Sequence, residues 1–391
     1  MRREAIVACV ALLATTGCAD DGTPVENTTI TASAGVTDEP TEEPSEASTP
    51  SDPSVGATTE MAPAVPRVVG TVAEGLVAPW GIDFLPDGSA VVTERDTRRV
   101  LRVTEAGDVS EIGVVDEAAP QGEGGLLGVA VSPTYESDST LFFYLTTATD
   151  NRVVRTTYDG PADGAGEGLG ALEVILDGIP NGFIHDGGRL EFGPDGDLYV
   201  STGETGEPTL AQDRDSLGGK ILRITPDGAP SPDNPDSSSP VWTWGHRNVQ
   251  GLAFDDEGEL WASEFGASTW DELNRIEKGQ NYGWPEVEGR GGRSEYADPE
   301  VVWNTADASP SGLAFLDGDV WMAGLRGERL WRVDVSSGRA RDPRDFFVGA
   351  YGRMRSVAVA PDGNLWVTTS NRDGRGDPAA ADDRILVVDV S

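Results

Sequence analysis

Two histidines occur in the chain. The first lies in Asn181-Gly182-Phe183-Ile184-His185-Asp186-Gly187-Gly188-Arg189. A neutral imidazole with an unperturbed pKa of about 6.5 can take a proton from a substrate hydroxyl near neutral pH. A turn histidine bonded to its own backbone would look the same. The second lies in Trp244-Gly245-His246-Arg247-Asn248-Val249-Gln250-Gly251. There Arg247 offers a permanent cationic fork for a carboxylate or a developing oxyanion, and Asn248 a neutral donor and acceptor. Arg353 and Arg355 flank Met354 at strand spacing, which turns both guanidinium groups to one side. Arg326 lies in Gly324-Leu325-Arg326-Gly327. Brought together, these arginines would form a cationic pocket; dispersed, each would be solvated beside a carboxylate.

A third stretch runs Glu264-Phe265-Gly266-Ala267-Ser268-Thr269-Trp270-Asp271-Glu272, followed by Asn281-Tyr282-Gly283-Trp284-Pro285. Carboxylate and carbonyl oxygens in a tight, Gly-containing loop suit Ca²⁺ better than Zn²⁺, which wants His or Cys. A solvated acidic loop is the plainer account of the same residues.

These stretches sit at corresponding places in an internal repeat. Pro79-Trp80-Gly81-Ile82-Asp83-Phe84 leads to Pro86-Asp87-Gly88, and Gly188-Arg189-Leu190-Glu191-Phe192 leads to Pro194-Asp195-Gly196. The segments starting at Gly125, Gln250, Ser311 and Arg355 follow the same pattern. Each is a short alternating strand, a turn of Pro, Asp and Gly, and a second strand such as Leu198-Tyr199-Val200. A further strand carries a recurring arginine: Arg102, Arg155, Arg223, Arg275, Arg332 and Arg384. Six hairpin units at a period of roughly 45–60 residues predict an all-β, six-bladed β-propeller of four-stranded antiparallel sheets. The strand at 67–72 would complete the last blade beside 385–390 and close the ring. A β-sandwich with chance resemblance among its hairpins is the competing architecture.

Composition frames the propeller. Arg2-Arg3, an apolar run and Thr15-Thr16-Gly17-Cys18 read as a signal peptide with a lipobox cysteine over residues 1–18. Residues 19–64, rich in Thr, Ser, Pro and Glu, bury too little apolar surface to fold and read as a tether. The folded domain is expected over 65–391, exported and held by a lipid to the outer face of the cell membrane. A formal net charge of −38 argues against nucleic acid as a partner.

From about Val65 to Val390 the chain resembles the soluble PQQ-dependent glucose and aldose sugar dehydrogenases, the glucose/sorbosone dehydrogenase family. The resemblance rests on Gly124-Gly125-Leu126-Leu127, the run from His185 to Gly196, Gly245-His246-Arg247-Asn248 with Gln250-Gly251, Asp271-Glu272 with Asn281-Tyr282-Gly283-Trp284-Pro285, and Arg353-Met354-Arg355. It implies oxidation of a sugar or related alcohol, with His185 as general base while hydride passes to C5 of PQQ. Arg247 would polarise the C5 oxygen. Asn248, Arg326, Arg353 and Arg355 would position the quinone and its carboxylates. Backbone carbonyls of Gly266 and Ala267 would take a Ca²⁺ near PQQ, and Glu272 with Tyr282 a second one. An external electron acceptor is implied as well.

Three positions depart from the family pattern. Glu123 stands near substrate and cofactor where relatives often have Gln, Ile184 precedes the base where glucose enzymes have Asp, and Ala267 replaces Pro. A carboxylate at 123 would repel a tricarboxylate unless it were protonated or paired. Two other functions fit a propeller: a Ca²⁺-dependent, lactonase-like hydrolase, and a non-catalytic module that binds carbohydrate or protein.

Overall fold

The computed structural model describes residues 65–160 and 168–391; the signal peptide and tether expected over 1–64 lie outside the described residues. Those residues form six four-stranded antiparallel sheets. The innermost strands are Pro79–Phe84, Leu126–Val131, Leu190–Phe192, Val249–Phe254, Pro310–Leu316 and Met354–Val359. Each packs against the next, and the sixth packs against the first, so the blades make a closed ring. This is the six-bladed propeller expected from the repeats. Among the described residues, helix is confined to the four residues Tyr135–Asp138 and a 3-10 turn at Pro208–Ala211.

Local chemistry explains the repeated hairpin. Asp87, Asp195 and Asp362 each accept the backbone N–H two residues on, at 2.9, 3.0 and 3.0 Å. The glycine after each aspartate has φ of +85°, +81° and +85°, a region in which a side chain would be strained. The recurring arginine clasps several of these hairpins: Arg102 pairs with Asp87 at 2.8 Å, Arg223 with Asp195 at 2.8 Å and Arg332 with Asp319 at 2.6 Å. Arg384 departs from the expected pattern. It precedes its strand, Ile385–Asp389, and pairs with Asp382 instead.

The core lies between blades. Trp80, Leu127, Phe142, Tyr144 and Leu190 bury one inter-blade face, and Trp261, Leu273, Val320 and Trp331 another. Fully buried Trp261 donates its indole N–H to Asp255 at 2.9 Å, so its polar atom is satisfied within the apolar layer. Replacing such a side chain by Ala costs about 3–5 kcal/mol. The ring closes through Arg67–Ala73, which pairs antiparallel with Ile385–Asp389 as the outer strand of the sixth blade.

Candidate active site

Antiparallel blades place the loop before each innermost strand and the loop after each second strand at the same end of the axis. The first set of loops carries Glu123, His185, Arg247, Asn248 and Arg353. The second carries Glu204, Phe265, Arg326, Asp373 and Arg375. A cavity of about 320 Å³ opens among them, lined by Glu123, Arg326, Arg353, Arg355 and Arg375 together with Trp80, Gln250, Phe265, Ser309 and Leu325. Four arginines thus face one cavity in a strongly acidic chain.

Their partners differ. Arg353 donates from Nε and Nη2 to one oxygen of Asp373, at 3.1 and 3.0 Å. Arg355 stands 3.7 Å from that oxygen, and its Nη1 donates to Gln250 at 2.8 Å. Burial works against the Asp373 carboxylate, but Arg355 and Arg353 outweigh it and hold the acid below the usual carboxylate range. The Arg355 Nε is buried without a hydrogen-bond partner, and burial pulls the Arg355 pKa well below the ordinary arginine value. Such a group gains from an anion in the cavity. Trp80 also lines the cavity, its ring centroid 4.4 Å from the Arg189 guanidinium carbon and 5.8 Å from that of Arg355.

His185 has a left-handed backbone, φ +59°, which presents its ring from the loop. Its Nδ1 is hydrogen-bonded to Glu204 Oε1. An ionised carboxylate can only accept, so the proton sits on Nδ1 and Nε2 is left as the acceptor. The His185 backbone N–H donates to Glu123 Oε2 at 2.9 Å, and Glu123 Oε1 pairs with Arg375 at 2.9 Å. Burial would raise the Glu123 pKa, but the His185 N–H and the Arg375 charge prevail and lower it. The carboxylate at 123 is therefore ionised and paired. Close approach fixes Gly203 here: a Cβ at that position would lie 1.9 Å from the His185 carbonyl oxygen.

Arg247 lies over Trp284, 5.5 Å from the ring centroid, and reaches the Phe265 carbonyl at 3.4 Å. Burial lowers its pKa, against the pull of Glu204 and Glu264. Its backbone N–H is held by Glu264, which also accepts from His246 Nδ1 at 2.8 Å. His246 itself is fully buried. Asn248 Oδ1 accepts the Gly187 N–H at 3.1 Å, tying the loop of His185 to that of Arg247.

Gly266 and Ala267 give their N–H groups to Asp271 and Glu288, both at 2.9 Å. Their carbonyls accept no hydrogen bond among the described residues. Glu272 is buried, accepting from Gly289 N at 2.7 Å and Asn274 Nδ2 at 3.1 Å, without a cationic partner. Burial, with Glu264 nearby, pushes its pKa up. Tyr282 stacks on His246 at 4.6 Å and donates its hydroxyl to the Arg275 carbonyl at 2.7 Å. Among the described residues no three His, Cys, Asp or Glu side chains converge as a metal cluster, so a metal here would depend on carbonyls as well as Glu272.

Sequence reading passed over Glu204, Asp373 and Arg375, which orient or neutralise the residues it singled out. Their one shared signal is position: each follows a second strand, as Arg326 does.

Residues 76–381 match the family described as Glucose / Sorbosone dehydrogenase. The PQQ-bound aldose sugar dehydrogenase of Streptomyces coelicolor is 54% identical, with a TM-score of 0.82 over 84% of this chain and 100% of that one. Quinoprotein glucose dehydrogenase B of Acinetobacter calcoaceticus is 35% identical over 56% of this chain and 51% of its own length. The aldose sugar dehydrogenase of Escherichia coli is 29% identical over 76% of this chain and 88% of its own.

Proposed function

Because the chain belongs to the glucose/sorbosone dehydrogenase family, we propose that it is a PQQ-dependent dehydrogenase that oxidises aldose sugars or related alcohols. The observation that carries this reading is the cavity where Arg326, Arg353, Arg355 and Arg375 converge, one of them with an unpartnered buried N–H. A planar tricarboxylate fits that donor set, and Trp80 in the same lining suits an aromatic ring.

Arg326, Arg353, Arg355 and Asn248 would hold the quinone. When bound, PQQ would supply the redox chemistry as acceptor, at its C5, of the hydride from the carbinol carbon. His185 Nε2 takes the proton of the substrate hydroxyl, and Glu204 keeps the ring in the tautomer that leaves Nε2 free and stabilises the imidazolium that forms. Arg247, which forms no ion pair among the described residues, would face the negative charge developing on the cofactor oxygen. The Arg375 pairing removes the repulsion that Glu123 would otherwise exert. An external electron acceptor would complete the cycle.

Two calcium positions belong to this reading. The unengaged carbonyls of Gly266 and Ala267 suit one near the cofactor; buried Glu272, with the backbone of Tyr282, suits the other. Ca²⁺ would supply positive charge at both. The leader layout, with Cys18, supports export and lipid anchoring at the outer face of the cell membrane as part of the same proposal.

The test is reconstitution of the apo-protein with PQQ and Ca²⁺, followed by dye reduction against aldoses and alcohols. Sugar-dependent reduction is expected. A protein that binds no PQQ would instead be a non-catalytic propeller.

A further inference from the structure

Phe183, two residues before His185, is 71% exposed, the highest value among the large apolar side chains of the described residues. Lone exposed apolar residues are common and need no explanation by themselves. This one stands on a braced loop. Asn181 Nδ2 donates to the Thr147 carbonyl at 2.9 Å, and Gly182 N–H to Asp186 Oδ1 at 3.0 Å. The Phe183 carbonyl accepts the N–H of Glu123 at 3.0 Å, and Glu123 in turn holds the His185 N–H. One hydrogen-bonded unit therefore fixes the backbone that carries the exposed aromatic side chain and the imidazole, together with a wall of the arginine-lined cavity. The Cα atoms of Phe183 and His185 cannot be more than about 7 Å apart, a span that a single sugar residue can bridge.

We propose that Phe183 is a substrate platform, on which the apolar C–H face of an aldopyranose packs while its reacting hydroxyl meets His185. The inference rests on the dehydrogenase reading above and narrows it to cyclic sugars. A pyranose ring presents a continuous C–H face to an aromatic ring; an acyclic polyol has the same hydroxyls but no such face. Discrimination then comes from dispersion and dehydration of the ring, and it acts on binding more than on the chemical step.

The experiment compares PQQ-loaded parent, Phe183→Ala and Phe183→Tyr by steady-state dye reduction with an aldopyranose. An acyclic polyol of equal carbon number serves as second substrate or competing inhibitor, and the absorbance of bound PQQ reports loading. Phe183→Ala is expected to raise KM for the aldopyranose roughly tenfold, the order expected of one aromatic contact. Its kcat should stay within about twofold. Phe183→Tyr should restore KM, and the constant for the polyol should not move. An unchanged KM in Phe183→Ala, or an equal rise for the polyol, overturns the platform. A PQQ-loaded parent that oxidises no aldose overturns the dehydrogenase reading and the platform with it, whereas an active parent with an indifferent Phe183→Ala overturns the platform alone.

Discussion

Glu123 and Arg375, from the loops of the second and sixth blades, form a 2.9 Å ion pair on the wall of the arginine-lined cavity. The arginine is half exposed, but the carboxylate is mostly buried and also anchors the backbone of His185. The pair cancels a charge that would otherwise face the cofactor.

Arg375→Ala should therefore weaken PQQ binding roughly tenfold, through the carboxylate it strands. Glu123→Gln should bind PQQ at least as well as the parent, and the double variant should recover most of the loss. Titration of the apo-proteins with PQQ, followed by absorbance, measures all three. Additive losses would show that the two residues act independently.

His185→Gln should retain PQQ and lose turnover by roughly 10²-fold or more, since Gln fills the space but takes no proton. Glu204→Gln should also lose turnover, by roughly tenfold or more, because the carboxylate that keeps the proton on Nδ1 and stabilises the imidazolium is gone. Arg247→Ala should reduce both turnover and cofactor retention. Near-normal turnover in His185→Gln at full cofactor occupancy would remove the histidine from the mechanism.

Calcium should raise the melting temperature of the apo-protein by several degrees at saturation, following the usual linkage of about 2.7 kcal/mol at a hundredfold excess over Kd. Glu272→Ala should abolish most of that rise. The check is thermal unfolding after dialysis against EDTA, with and without added Ca²⁺. Identical curves would leave no exchangeable calcium to explain.

Glu191 lies in a second cavity along the axis, with Arg189 and Asp83, and its carboxylate accepts no hydrogen bond among the described residues. Burial, reinforced by Asp83, raises its pKa to about 8. Between the ordinary carboxylate pKa and that value the folded state binds more proton than the unfolded one, so stability falls as pH rises through this window. Glu191→Gln removes the dependence. Its melting temperature should match the parent near pH 4.5 and exceed it increasingly up to about pH 8, the gain in stability being on the order of 1 kcal/mol because the Glu191 side chain is only partly buried. A difference independent of pH would mean that Glu191 is stabilised by something other than its proton.

The propeller was legible because its signals are local. Asp87-Gly88, Asp195-Gly196 and Asp362-Gly363 announce turns through bonds no longer than two residues, and the strands beside them alternate with period two. Arg326, Arg353 and Arg355 were legible through their registration on those repeats. Glu204, Asp373 and Arg375 were not: their partners come from other parts of the chain, and nothing in Thr202-Gly203-Glu204-Thr205 or Asn371-Arg372-Asp373-Gly374-Arg375 distinguishes them from solvated loop residues. The Gly266-Ala267 loop was half legible. Its oxygen-rich composition could be read, but not that Glu288 gathers four successive backbone N–H groups, from Ala267 to Trp270, onto one carboxylate oxygen at 2.8–3.0 Å.

The pairing of Arg67–Ala73 with Ile385–Asp389 orders events in time. During synthesis the first strand emerges long before its partner, so one sheet edge stays unpaired while five blades are assembled, and an unpaired edge recruits any strand it meets. Blades one to five can form from near neighbours in sequence, but the sixth needs both extremes of the domain, the slow, long-range contact that governs folding speed. Charged and small residues on that waiting strand, Arg67 and Gly70 among them, disfavour premature association. A nascent chain arrested before Ile385 would carry a complete row of cavity residues up to Arg375 on a ring that has not shut.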